Sequence, residues 1–368
     1  MMLTNKNFFK TICLLVFFWG SVFFNAQITE SYYKQRLSTD YPYNLKNIKA
    51  FADGSNSYDY MAIGYFLNAN NIMYEKTKDK YYLDCNIDIL RPMFLKEMKG
   101  SAVKARMMKV GSKNQNAWIN GSESITFEGY FYRYLGEYLF LIKKNNLYTD
   151  SQSQLLNGLQ QGFNKWYDKS VAKYNDATML FHQRLHIAAN WATACLYLYE
   201  FTKDAKYRSF YTTFDQQLKD NLKVKEVDGN TCYVWNSTYS NAFTNGLQSK
   251  KLGNIIQDVG HGNHIVEYIL TSYQLNKGTY TENDLKRLSN TVAYLIWNQN
   301  TSTFADNVDG SSSTDKGVQN TGFKQTDGWM KLIPYNNKLL PIYQTYYSKN
   351  KRRIENSVWG LQYLANLY

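Results

Sequence analysis

Proline is scarce in this chain: there are four in 368 residues, Pro42, Pro92, Pro334 and Pro341. So few helix- and strand-breaking residues allow long uninterrupted elements. Cysteine is equally rare, and of the four Cys13 lies in the N-terminal apolar stretch, leaving Cys85, Cys195 and Cys232. An odd count excludes a full disulfide framework. A single Cys85–Cys232 bridge stays open, while Cys195 sits in an apolar helical stretch and reads as core. The longest apolar run, residues 12–24, falls short of the ~20 residues that span a bilayer, so no stable membrane insertion is expected. There is no phosphate-binding loop, dinucleotide fingerprint or nucleophile elbow.

The first 26 residues read as a cleavable leader, with Lys6 and Lys10, then the apolar run, then Asn25-Ala26-Gln27. This predicts a secreted or periplasmic protein whose mature part, residues 27–368, is one domain. No Pro/Gly/Ser linker divides it. The formal charge is +12, and removing Lys6 and Lys10 leaves 12 − 2 = +10. Such a balance favours anionic partners, and for an exported protein these are acidic polysaccharides or anionic cell surfaces rather than nucleic acid. Six cations between Lys96 and Lys113 oppose one acid, Glu97. That run suits either a binding patch or a solvated loop.

Apolar residues recur at helical spacing over 57–77, 123–146, 151–168, 178–201, 205–222, 262–275, 282–298 and 336–348, with one short strand-like piece at 231–235. A repeat marks the turns: Tyr74-Glu-Lys-Thr-Lys-Asp-Lys-Tyr-Tyr82 matches Tyr199-Glu-Phe-Thr-Lys-Asp-Ala-Lys-Tyr207, with looser copies from Lys144 and Leu275. The markers Tyr74, Lys144, Tyr199 and Leu275 are 70, 55 and 76 residues apart, room for two helices and a loop per step. A period of this kind means stacked hairpins. The fold expected is all-α, with about five to seven hairpins in an open solenoid or, better, a closed (α/α) toroid. The first helix of a pair, as in Asn190-Trp-Ala-Thr-Ala194, is rich in small residues that let inner helices approach closely.

The only histidines are His182 and His186, then His261 and His264. The spacings i,i+4 and i,i+3 place each pair on one helix face. Histidine titrates near neutral pH and is the commonest metal ligand. The pairs therefore nominate two helices as walls of one site; the alternative for any one of them is a hydrogen-bonded core histidine. No cofactor is required, although the histidines with Asp258 or Glu267 would suit a divalent metal such as zinc.

Aromatic-polar clusters precede the presumed inner helices. They are Tyr58-Asp-Tyr60; Trp118-Ile-Asn120 with Glu123; Asn175-Asp176 with His182-Gln-Arg184; Trp235-Asn-Ser-Thr-Tyr239; Asp258-Val-Gly-His-Gly-Asn-His264; and Gln325-Thr-Asp-Gly-Trp329. On one face of a ring they would form a sugar-binding cleft, with rings stacking on apolar sugar faces and polar groups fixing hydroxyls. Asp59, Asp176 and Asp258 equally suit helix N-caps, and Trp118, Trp191 and Trp329 equally suit a core.

The hairpin repeat, and Asp258-Val-Gly-His-Gly-Asn opening a helix after Trp235-Asn-Ser-Thr-Tyr239, resemble the (α/α) toroid carbohydrate-active families. These include bacterial uronate polysaccharide lyases and the helical domain of glucuronyl C5-epimerases. The resemblance covers most of 50–366 in architecture and is specific near 233–268. It implies proton transfer by a tyrosine and a histidine, with Asn, Gln or Arg neutralising the uronate carboxylate.

β-Elimination at a uronate needs the same parts. The C5 proton is poorly acidic until the carboxylate beside it is neutralised, and a base and an acid must then reach C5 and the leaving oxygen. Arg184, Asn190 and Asn120 suit the first need, His186 or His261 the base, and Tyr239 the acid. Trp118, Glu123, His182, Trp235, Asp258, His264 and Trp329 complete the expected substrate cleft. Three alternatives stay open: a glycoside hydrolase of the same ring using two carboxylates such as Glu123 and Asp258, a uronate C5-epimerase, and a non-catalytic glycan-binding protein.

Overall fold

The computed structural model describes residues 28–39, 41–52, 57–95, 124–182, 184–238, 255–314, 316, 317, 319, 320 and 322–368. The expected leader, the basic run from Lys96, and the site candidates Trp118, Asn120, Glu123 and Tyr239 lie outside the described residues.

The described chain is mostly helical. In order it forms α1 (Glu30–Ser38), α2 (Leu45–Ala52), α3 (Ser57–Thr77), α4 (Tyr81–Leu90), α5 (Ile125–Lys144), α6 (Thr149–Tyr174), the single turn α7 (Thr178–Phe181), α8 (Leu185–Thr202) and α9 (Ala205–Asn221). A hairpin of β1 (Lys223–Val227) and β2 (Asn230–Val234) follows. Then come α10 (Val259–Gln274), α11 (Glu282–Asn290), the two-residue strands β3 (Trp297–Asn298) and β4 (Thr303–Phe304), α12 (Asp327–Met330), α13 (Leu339–Glu355) and α14 (Gly360–Leu367).

The repeated Thr-Lys-Asp turn works through one set of hydrogen bonds made twice. Thr77 and Thr202 donate their hydroxyls to Met73 O and Leu198 O, both at 2.7 Å. Lys78 and Lys203 take left-handed backbone (φ 61° and 58°), ending α3 and α8. Asp79 and Asp204 then accept the amides of Tyr81 and Lys206 at 2.9 and 2.8 Å, satisfying orphan donors of the next helix. Asn146 and Asn276 take the same left-handed conformation in the looser copies.

Helices α5, α8 and α10 are buried on every side over most of their length. Each packs on its sequence partner, α5 on α6 and α8 on α9, as α3 does on α4, and the buried members also pack on one another. Helix α3 meets α5, α5 meets α8, α8 meets α10, α10 meets α12, α12 meets α14, and α14 meets α3. At the last contact Lys76 Nζ donates to Ala365 O and Asn366 O at 2.9 and 2.8 Å. Small residues set the spacing: a Cβ on Gly328 would lie 2.2 Å from Asn263 O and 2.7 Å from Glu267 N, backbone atoms of α10. Gly328→Ala should therefore force α12 off α10, at the ~1–3 kcal/mol typical of overpacking. Urea denaturation checks this; an unchanged midpoint would show that α12 can shift freely.

Two buried charged groups pin α12. Arg133 on α5 pairs with Asp327, their side chains 0% and 1% exposed, and Tyr134 donates its hydroxyl to the same carboxylate. Lys331 bridges Glu137 on α5 (2.9 Å) and Glu267 on α10 (2.7 Å).

Some expectations need correction. Helices α1, α2, α4 and α14 were not legible as amphipathic repeats, and the helical stretch expected over 282–298 gives way to a π-turn at Thr291–Ile296 and then β3. The stretch expected over 178–201 is broken, because His182 is left-handed (φ 48°) and Arg184 is extended. His182 and His186 therefore do not share a helix face. Cys85, Cys195 and Cys232 are buried free thiols, so no Cys85–Cys232 bridge forms.

Candidate active site

The N-terminal ends of α8 and α10 bring three histidines together. His186 opens α8, and its ring stacks on that of His261, with centroids 4.2 Å apart and planes at 23°. His264, one turn further along α10, lies 6.1 Å from His186 and 6.5 Å from His261, centroid to centroid. Tyr130 on α5 packs its ring edge-on against His264 at 4.3 Å.

Asp258 organises the mouth. As N-cap of α10 it accepts the amide of His261 at 2.9 Å, and the same carboxylate holds His261 Nδ1 at 2.9 Å. Burial acts to raise the Asp258 carboxyl, but the bonds from the His261 ring and amide outweigh it and hold the group below the usual carboxylate range. The N-cap role and the site role are thus one geometry. With Nδ1 engaged by a carboxylate, the other ring nitrogen, Nε2, is the one left to act on a ligand. The His261 side chain is 41% exposed, so it can reach one.

The other two histidines sit behind it. His186 and His264 are 7% and 2% exposed, and among the described residues Nδ1 of each has no hydrogen-bond partner. Burial lowers both basicities well below the ordinary histidine value; His261 adds to this at His186, and Arg133 then His261 at His264. Both are neutral in the folded protein at neutral pH, while in the unfolded chain they protonate below ~6.5. The unfolded state then binds more protons, so stability is complete above that pH and falls as pH drops through it. His264→Gln should flatten the loss of thermal stability between about pH 7 and 5. An equally steep profile in the variant would assign the loss to other groups.

Arg184 is half-buried just before α8. Its Nη1 donates to Ser237 Oγ at 3.0 Å, and its backbone bridges Thr238, the residue before Tyr239. His182 accepts the Arg184 amide at Nδ1, 3.1 Å, and burial, then Arg184, lowers its basicity. Asn190 is wholly buried and donates to His186 O at 2.9 Å; it supports α8 and does not face a cleft. Trp235 and Trp329, 1% and 0% exposed, stack on each other at 5.8 Å beneath Gly262. They are core supports for the first turn of α10, not open sugar platforms, because both rings are buried against Gly262 where α12 packs on α10.

Among the described residues no group of three or more His, Cys, Asp or Glu is arranged to hold a metal ion. His186 and His261 meet face to face, Asp258 is spent on His261, and Glu267 is spent on Lys331. A cavity of about 430 Å³ opens at the opposite ends of the buried helices, lined by Glu137, Phe140, Tyr197 and Lys331; no histidine reaches it.

Comparison with protein families, characterised proteins and solved structures finds no match for this chain.

The sequence reading missed Tyr130 and Arg133. Their i,i+3 spacing in Tyr130-Phe-Tyr-Arg133 was the available signal; it was hidden by the abundance of tyrosine, 33 residues in all.

Proposed function

We propose that the helices close into an (α/α) toroid and that the protein is a secreted lyase cleaving an acidic, uronate-containing polysaccharide by β-elimination. The succession of neighbours from α3 round to α14 and back supports the ring. The observation that carries the reaction is the Asp258–His261 pair, a half-open histidine oriented by a buried carboxylate at a helix start.

In this reading His261 Nε2 takes the C5 proton. Asp258 fixes the ring tautomer and stabilises the imidazolium that forms, as a carboxylate does behind a catalytic histidine. Arg184 neutralises the uronate carboxylate as negative charge develops at C5. Tyr239, one residue beyond the bridge to Arg184, protonates the leaving oxygen. His186, stacked on His261 and kept neutral by burial, adds no competing charge.

The glycoside hydrolase alternative needs two free carboxylates, and Asp258 is committed to His261.

The test is absorbance at the unsaturated-uronate band after incubation with a panel of acidic polysaccharides. Product should form from a polyuronate and not from a neutral glucan, and the rate should fall with added salt as the basic surface is screened. New reducing ends without unsaturation, abolished by Glu123→Gln with Asp258→Asn while the histidines tolerate alanine, would replace the lyase by the hydrolase.

A further inference from the structure

Beside the histidine cluster runs a strip of cations laid on aromatic rings that none of the roles above uses. The guanidinium of Arg353, at the end of α13, lies 3.5 Å from the centroid of the Phe323 ring. Phe323 packs on Trp359 at 5.8 Å, and the ammonium of Lys324 lies 5.8 Å from the Trp359 ring. Lys324 is in turn next to the site: its Cβ would lie 3.5 Å from a Cβ built on Gly260, the residue before His261.

The strip is tied in place. Asn263, in the first turn of α10, donates to Lys324 O and to Gly260 O, and its own carbonyl accepts the Thr326 amide at 3.1 Å. The motif Gly260-His-Gly-Asn263 thus fixes the histidine and the lysine against each other.

Among the described residues, no carboxylate forms an ion pair with Lys324 or Arg353, and the buried indole N–H of Trp359 has no acceptor. Burial holds the Lys324 ammonium below its ordinary basicity; the attraction of Asp258 opposes this, and the charge of Arg353 adds a smaller lowering. Two cations set on rings, neither ion-paired to a carboxylate among the described residues, are arranged for an anion from outside. An arginine flat on a ring keeps its edge N–H groups free for bidentate contact with a carboxylate or sulfate. The end of α13 extends the positive charge with Lys349, Lys351 and Arg352 around a shallow pocket.

We propose that Lys324 and Arg353, each seated on an aromatic ring, form a receptor for the anionic groups of an acidic polysaccharide beyond the sugar that reacts. The assignment rests on the lyase reading only for the bond broken, not for the binding. It makes the site longer than one sugar and directs the polymer from His261 along Lys324 toward the basic end of α13.

The test is the affinity of the whole protein for polyuronate, for dextran sulfate and for neutral dextran, by titration calorimetry. Wild type should bind polyuronate and not dextran. Lys324→Gln and Arg353→Gln should each raise Kd about tenfold, the loss of one charge-assisted hydrogen bond, with a shallower dependence on salt. Phe323→Leu, which keeps apolar packing and removes the ring under Arg353, should raise it about threefold. Unchanged Kd in both charge variants, with native circular dichroism, overturns the receptor even if unsaturated product forms. Loss of binding in the variants of a protein that yields no unsaturated product supports the receptor and removes the lyase reading. Tighter binding of dextran sulfate than of polyuronate, lost in the same variants, keeps the receptor and assigns it to sulfate esters.

Discussion

Replacing Asp327 with alanine should destabilise the protein more than any substitution at the candidate site. The change strands Arg133, whose side chain is 0% exposed, and whose Nε and Nη1 already lack partners among the described residues. Removing one member of a buried ion pair costs about 3–5 kcal/mol, because the remaining charge is left desolvated. Tyr134 loses its acceptor as well, and α12 loses its anchor on α5. The expected drop in thermal midpoint is on the order of 10 °C. Arg133→Met combined with Asp327→Ala should recover part of the loss, since both charges then leave together. A single-variant loss under about 1 kcal/mol, the level of an ordinary surface change, would mean that water reaches Arg133.

The second large effect is on turnover. His261→Ala and Tyr239→Phe should each reduce polyuronate cleavage by at least about a hundredfold, the lower range for losing general acid–base help. The thermal midpoint of His261→Ala should barely move, because that side chain is 41% exposed and is held mainly by its stack on His186 and its bond to Asp258. Arg184→Ala should weaken binding and turnover together, because it meets the uronate in both ground and transition states. Retained activity in His261→Ala would remove the histidine from the chemistry and leave it a structural partner of the Asp258 cap.

The histidine pairs announced the meeting of α8 and α10, because four residues of one type in two short segments seldom serve separate ends. The expectation that both pairs ride on helix faces failed at His182. Nothing in a spacing of four reveals a left-handed residue, and the extended backbone at Arg184 is set by its bridge to Thr238, more than 50 residues away. The turns were legible for a local reason, since Thr, Lys and Asp each satisfy groups within four residues. The roles of Trp235, Trp329 and Asn190 were not: the tryptophans are buried where α12 seats against α10, and Asn190 packs against Gly129 of α5, each a contact between segments some 60 residues apart. Arg133 and Lys331 were also illegible, because charged residues read as surface until the carboxylates that receive them are placed. Lys324 belongs with them, since only the fold sets it beside Gly260.

The contact of α14 with α3 bears on how the chain reaches this structure. Lys76 is held by carbonyls 289 and 290 residues further along, and Gln362 Nε2 reaches Asn68 across 294. Helices within a hairpin can pair as soon as both exist, but the face that α3 presents to α14 waits for the last dozen residues. Contacts of such sequence separation carry a large loop-closure entropy and form late. Refolding should therefore be biphasic, with fast helix formation followed by slow docking of α14 on α3, and the intermediate will expose the buried face of α3 to other chains. A shortened chain lacking residues 357–368 would stop at that intermediate, with every histidine of the site present and α3 without its contact to α14.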